Sequence, residues 1–159
     1  MRFVRVYHAD PRTAAETVYP LAWLSGLSFG HPDELRALLD NPVHRVYLIS
    51  QPRLSRRPVG YLLAQIIPPE AEILDLAVLP CLKRQGFGTL LLEACFREMT
   101  AQGVLRCYLE VRESNVEAIA FYLRHGFKTC GFRSDYYAQP SENALCLSRS
   151  FEKTDTPYF

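Results

Sequence analysis

None of the five cysteines in this chain lies three residues from another; they are spread from Cys81 to Cys146. Without a Cys-x-x-Cys pair, structural zinc and dithiol redox chemistry have no support. The cysteines fall mostly in apolar runs, so they read as buried thiols in a reducing compartment, which implies the cytoplasm. His8, His31, His44 and His125 lack metal-ligand spacing, and no metal is expected. An excess of one charge is missing too. Eighteen basic against 17 acidic residues leave +1, so no global field draws in nucleic acid or an anionic membrane. No apolar run approaches the ~18–20 residues of a membrane span. The start, Met1-Arg2-Phe3-Val4-Arg5-Val6-Tyr7, alternates like a strand where a signal peptide would carry an apolar core. No Gly-Lys-Ser/Thr ending of a P-loop occurs, which argues against an ATPase.

What is present fits one domain. The chain has 159 residues, 48% hydrophobic and 22% charged, enough for a core without staples. A single domain is expected over residues 1–150, with a polar tail at 151–159. Strand-like runs occur at 1–7, 45–50, 59–67, 72–79, 104–111, 127–132 and 144–150. Helical patterns occur at 11–27, 32–39, 86–102 and 115–125. The order β-α-α-β-β-β-α-β-α-β-β predicts an α/β (α+β) domain on one mixed, mostly antiparallel seven-stranded sheet flanked by about four helices. The segment 52–58 reads as an exposed basic hairpin loop, and Pro68-Pro69 turns the third strand into the fourth.

The richest segment is Lys83-Arg84-Gln85-Gly86-Phe87-Gly88-Thr89, between a strand-like run and a strongly helical one. A short glycine-rich turn that opens a helix can hold a phosphate: glycine lets the backbone approach the anion, and helix N-terminal N–H groups point at it. Lys83 and Arg84 add positive charge. The helix that follows is amphipathic, with Leu92, Phe96 and Met99 on one face beside Leu91 and Cys95, and Gly103 as its stop.

The next helix opens on Ser114-Asn115-Val116-Glu117, a capping-box pattern with Ser114 as N-cap and Glu117 at N3. The spacing predicts a buried stripe of Val116, Ile119, Ala120 and Leu123. Asn115, Ala118 and Tyr122 share an adjacent face, which lets the Tyr122 hydroxyl meet a cleft. In the strand before it, Leu105, Cys107, Leu109 and Val111 alternate with Arg106, Tyr108 and Glu110. Glu110 has two readings, a strand-end carboxylate in a salt bridge or a proton acceptor held in a cleft. Glu72 and Asp75 read as strand-edge charges, with Glu72 as a second candidate base.

The run Leu109-Glu110-Val111-Arg112, then Ser114-Asn115, Ala118, Phe121-Tyr122 and His125-Gly126-Phe127, resembles the GNAT superfamily of acyl-CoA N-acyltransferases. Within it the likeness is to RimI-type ribosomal-protein alanine N-acetyltransferases and related N-terminal acetyltransferases. Gly86 and Gly88 occupy the glycine positions of the family's phosphate motif, and Lys83 stands where that motif has Gln or Arg. Arg133-Ser134-Asp135-Tyr136-Tyr137 is similar to the tyrosine pair after the sixth strand.

The resemblance implies acetyl-CoA as cofactor, lying between splayed fourth and fifth strands. It implies that Leu76, Ala77 and Val78 pair through their backbone with the pantetheine arm. The amides of Arg84, Gln85, Gly86, Phe87, Gly88 and Thr89 would hold the pyrophosphate, with Lys83 beside them and Asn115 near the pantetheine. Glu110 would be the general base and Tyr122 the general acid. Trp23, Phe29, Tyr136 and Tyr137, with Glu110, would line the acceptor site. The implied activity is acetyl transfer to a primary amine, first a protein or peptide N-terminus. Residues 19–31 do not carry the Phe-Pro-Trp-like segment of RimI enzymes, so a small-molecule amine acceptor stays open, as does a non-catalytic CoA-binding module.

Overall fold

The computed structural model describes residues 5–8, 10–22, 32–51 and 57–151. The strands are β1 (Arg5–His8), β2 (His44–Ser50), β3 (Gly60–Ile67), β4 (Glu70–Val78), β5 (Arg106–Arg112), β6 (Lys128–Ala138) and β7 (Ser141–Ser150). The helices are α1 (Pro11–Ala22), α2 (Pro32–Asp40), α3 (Phe87–Ala101) and α4 (Val116–Arg124). All seven strands form one sheet in the order β1-β2-β3-β4-β5-β7-β6. Every pairing is antiparallel except β4 with β5. The expected element order and mixed sheet are thus observed. The expected extension of the first helix to Leu27, most of the 52–58 loop and the tail beyond Phe151 lie outside the described residues.

Local chemistry explains the element ends. Asp10 starts α1: its carboxylate accepts from Arg12 N (3.2 Å) and Thr13 N (3.1 Å), and Pro11 suits the first helical position because its missing N–H would be unpaired there. Helix α3 ends at Gln102, with Gly103 at φ 79° beyond it. The capping box at α4 is not formed. Asn115 is the N-cap, its side-chain oxygen accepting from Ala118 N at 3.1 Å. Ser114 N instead donates to Glu142 Oε1 at 2.6 Å, so β7 anchors the turn before the helix. Asn115→Ala should therefore cost about 1 kcal/mol of stability, while Asn115→Asp keeps the capping oxygen and most of that stability. Equilibrium unfolding of the two variants checks this.

Two apolar layers cover the sheet. Leu91, Leu92, Cys95, Phe96 and Met99 of α3 pack on Leu62, Ile73, Cys107, Leu109 and Leu147. On the other face Ala14, Val18, Leu35 and Leu39 of α1 and α2 pack on Val46, Leu48, Tyr61, Leu63 and Ala77. The α3 stripe is as the spacing predicts. The α4 stripe is not: Val116 and Leu123 are 72% and 45% exposed, and Tyr122 is the buried residue. Phe121 and Tyr122 stack edge-on (5.3 Å), and Tyr122 meets Phe127 (5.5 Å), so ring packing decides which face turns inward. The cysteines also differ from expectation. Cys95 and Cys107 are buried, but Cys81 and Cys130 are exposed and Cys146 is intermediate.

The feature that shapes the site is in β4. Its register with β3 steps from Leu63↔Asp75 to Ala64↔Ile73, so one extra residue is inserted at Leu74. Such a bulge bends a strand and raises its twist. The parallel ladder with β5 covers only Glu70↔Arg106 to Glu72↔Tyr108. Beyond that point β4 and β5 diverge.

Candidate active site

The divergence leaves a V, and helix α3 opens at its mouth. After a single 3-10 turn at Pro80–Leu82, Arg84 adopts φ 59° and Gly86 φ 88°, both left-handed. Alternating left- and right-handed residues turn successive N–H groups toward one concavity, an anion-binding geometry. The first helical bond is Leu90 N to Gly86 O at 3.1 Å, so the N–H groups of Phe87, Gly88 and Thr89 precede the ladder and face out of the helix end. Gly86 is the N-cap, without a side-chain cap. A Cβ on Gly86 would meet nothing within 4 Å, whereas one on Gly88 would stand 3.1 Å from Phe121 Cζ and 3.7 Å from Leu76 Cδ2. The glycines thus act differently: Gly86 supplies the left-handed turn, and Gly88 lets α3 close on α4 and β4.

The side chains of this loop are mostly engaged elsewhere. Phe87 is buried in the α3 core, so only its backbone is available. Lys83 Nζ lies 3.6 Å from Glu117 Oε2, both half in solvent. Gln85 donates to Cys81 O at 3.2 Å. Thr89 Oγ1 meets His125 Nε2 at 3.1 Å while His125 Nδ1 donates to Phe121 O at 2.8 Å. That chain bolts the start of α3 to the end of α4.

The second wall carries the carboxylates. Side chains of β5 alternate as the sequence predicts: Cys107, Leu109 and Val111 are buried, and Tyr108 and Glu110 face the opposite side. A cleft of about 400 Å³ opens there, lined by Glu70, Glu72, Tyr108, Glu110, Arg133 and Cys146, among others. Glu110 is ion-paired with Arg133 (Nε to Oε1, 2.5 Å). The nearby Glu110, with burial, pushes the Tyr136 phenol up to about 12. Burial raises the Glu72 pKa, the nearby Glu110 raises it further, and Arg133 opposes both.

Tyr122 sits deeper. Burial first, then the charge of Asp75, pushes its phenol well above the ordinary value, so the group is neutral throughout the physiological range. Asp75 accepts from the Tyr61 hydroxyl. Burial raises the Tyr137 phenol, Arg112 opposes it, and Glu110 adds to it. Arg112 stacks 4.1 Å over the Tyr137 ring.

The arrangement brings Glu110, Arg133 and Tyr136 together at the cleft, with Tyr137 edge-on to Tyr136 at 5.1 Å, while Tyr122 lies in the α3-side core against Phe121 and Phe127. Leu76 and Val78 face the α3 core and Ala77 the α1–α2 core. Within the sheet these three residues pair with β3 alone, which leaves their β5-side backbone edge toward the V. The Asn115 oxygen is committed to its cap, so its NH2 group is the part able to meet a ligand. Trp23 and Phe29 lie outside the described residues. Sequence reasoning passed over Arg133 as a cleft residue and left Glu72 second. Alternation of β4 places Glu70 and Glu72 on one face, a legible signal; the contact of Arg133 with Glu110 crosses the intervening strand β7 and is not. A cofactor with a pyrophosphate and an extended, amide-bearing arm fits this scaffold, because an anion concavity adjoins an open strand edge.

Residues 15–127 match the model of the Acetyltransferase (GNAT) family. The [ribosomal protein bS18]-alanine N-acetyltransferase of Salmonella typhimurium is 33% identical over 135 residues, 83% of this chain and 90% of that protein. The crystal structure of the ribosomal-protein-S18-alanine N-acetyltransferase from Escherichia coli superposes with a TM-score of 0.82 at 24% identity, over 99% of this chain and 100% of that one. The PaiA N-acetyltransferase of Thermoplasma acidophilum, solved in complex with coenzyme A, matches at a TM-score of 0.74 and 19% identity, over 93% of this chain and 99% of that one.

Proposed function

The chain belongs to the GNAT acetyltransferase family, whose acetyl donor is acetyl-CoA, and from that premise we propose that it acetylates the N-terminal amine of a protein or peptide by direct transfer. The observation that carries the reading is the early end of the β4–β5 ladder at Glu72↔Tyr108, which opens a V with an anion-binding helix start at one end and Glu110 on one wall. The named relative that matches over most of its length supports a protein N-terminus as acceptor, and alanine as its first residue.

In this reading the amides of residues 84–89 hold the pyrophosphate, with Lys83 and Arg84 adding charge. The backbone of Leu76, Ala77 and Val78 takes the amide-bearing arm, with the Asn115 NH2 group nearby. Acetyl-CoA supplies an acetyl group activated as a thioester. Glu110 takes a proton from the acceptor ammonium, directly or through water, because only the neutral amine is nucleophilic. The neutral amine forms the C–N bond as the C–S bond breaks; Tyr122 gives its proton to the leaving sulfur and is reprotonated by the second proton shed from the acylated nitrogen. Tyr136 and Tyr137 belong to the acceptor site, as do Trp23 and Phe29, which lie outside the described residues. Residues 1–150 act as one catalytic domain, followed by the 151–159 tail.

Gly86→Val should weaken acetyl-CoA binding. A β-branched residue disfavours φ 88° and adds bulk where the backbone approaches the phosphate. Calorimetry on the folded variant reads the loss; unchanged affinity would reject this placement. The acceptor is tested by a screen of peptides with different first residues beside a panel of small amines, following CoA release. Turnover with peptides and not with the small amines is the expected result.

A further inference from the structure

Glu110 is engaged before any acceptor arrives. Its partner, Arg133, is not a neighbour on the adjacent strand. Glu110 is in register with Cys146 of β7, and Cys146 with Gly131 of β6. Arg133 therefore reaches from the edge strand back over β7, and it lines the same cleft as Cys146. A register shift between Arg133 and Tyr137, with Asp135 at φ 50°, shapes the strand at this point. The guanidinium ends 2.5 Å from Glu110 and acts electrostatically on Glu72 as well. Both carboxylates and Arg133 line the same cleft. A cation thus occupies the position a primary ammonium takes when Glu110 receives its proton directly.

On the N-terminal acetyltransferase reading, we propose that Arg133 is a displaceable stand-in for the acceptor ammonium: it neutralises Glu110 while the cleft is empty of acceptor and yields its place to the incoming amino terminus. The Arg133 side chain is 60% exposed against 16% for Glu110, so the displaced guanidinium returns to water at little desolvation cost. The Tyr136 ring, 5.6 Å from the guanidinium carbon, offers it an alternative resting surface. Arg133 is a specificity group in this scheme. An acceptor without a positive amino terminus cannot replace it on Glu110, and every acceptor competes with a tethered cation.

The test compares Arg133→Gln and Arg133→Lys with the unmodified enzyme, using a peptide with a free N-terminal alanine and its N-acetylated twin. An exposed ion pair competes with an incoming cation by a factor of roughly 1.5 to 5. The peptide KM should fall by that factor in Arg133→Gln and stay near its original value in Arg133→Lys. The same gain should appear in the calorimetric Kd of the free peptide with saturating CoA, and not for the acetylated twin. An unchanged or higher peptide KM and Kd in Arg133→Gln overturns the proposal and makes Arg133 a fixed support for Glu110. Failure of the acetyltransferase reading itself looks different: the unmodified enzyme then releases no CoA with any peptide, and the calorimetric arm still decides the role of Arg133.

Discussion

Glu110→Gln should lower kcat/KM for a peptide acceptor by roughly 10²–10⁴-fold at neutral pH, the range set by loss of a general base. An N-terminal amine has an ordinary pKa of about 7.7–8.0 and arrives mostly as ammonium. Glutamine fills the same space, but it cannot take a proton. The variant then depends on acceptor that is already neutral, so its defect should shrink as pH rises through 8 and 9. The structural role predicts another pattern. Glu110 pairs with an arginine that is 60% exposed, and a pair of that kind contributes about 0–1 kcal/mol. If the ion pair is the whole function of Glu110, the substitution lowers the melting temperature slightly and leaves the pH–rate profile unchanged. That outcome would retire Glu110 as base and turn attention to Glu72, which lines the same cleft.

Tyr122→Phe is expected to lower kcat on the order of 10²-fold or more, the usual contribution of a positioned acid, with acetyl-CoA affinity nearly unchanged. Burial and the neighbouring Asp75 keep the phenol protonated, which suits donation to a thiolate. The ring is held edge-on between Phe121 and Phe127, contacts that phenylalanine preserves. No hydrogen bond from this hydroxyl occurs among the described residues, so the folded state loses little with it. Stopped-flow measurement of CoA release, under conditions where chemistry limits the rate, separates the roles. Turnover at the original level would make the tyrosine a packing residue.

Parts of this molecule are legible in its sequence because one face of an element is buried and the other is not. Leu91, Leu92, Cys95, Phe96 and Met99 mark α3 in that way, and the alternation around Glu110 marks β5. Helix α4 fails the same test. From Val116 to Leu123 only Glu117 is charged, so the wheel cannot choose an inward face, and the aromatic contacts of Tyr122 choose it. Strand β6 runs to Ala138, six residues past its expected end. It is an edge strand exposed along nearly its whole length, so no hydrophobic period extends through it. The glycine turn that opens α3 and the cleft-facing side of Glu110 are readable from glycine spacing and strand alternation. The ion pair across β7 is not, because it depends on a three-strand register and a bulge that local pattern does not encode.

The most direct measurement uses a peptide with a free N-terminal alanine and an internal lysine, incubated with the protein and acetyl-CoA and read by fragment mass spectrometry. The expected result is a single acetyl group on the α-amine, present with the unmodified protein and nearly lost with Glu110→Gln at pH 7. Acetylation of the lysine side chain instead, or no transfer to the peptide while a small amine is acetylated, would contradict the assignment to protein N-termini.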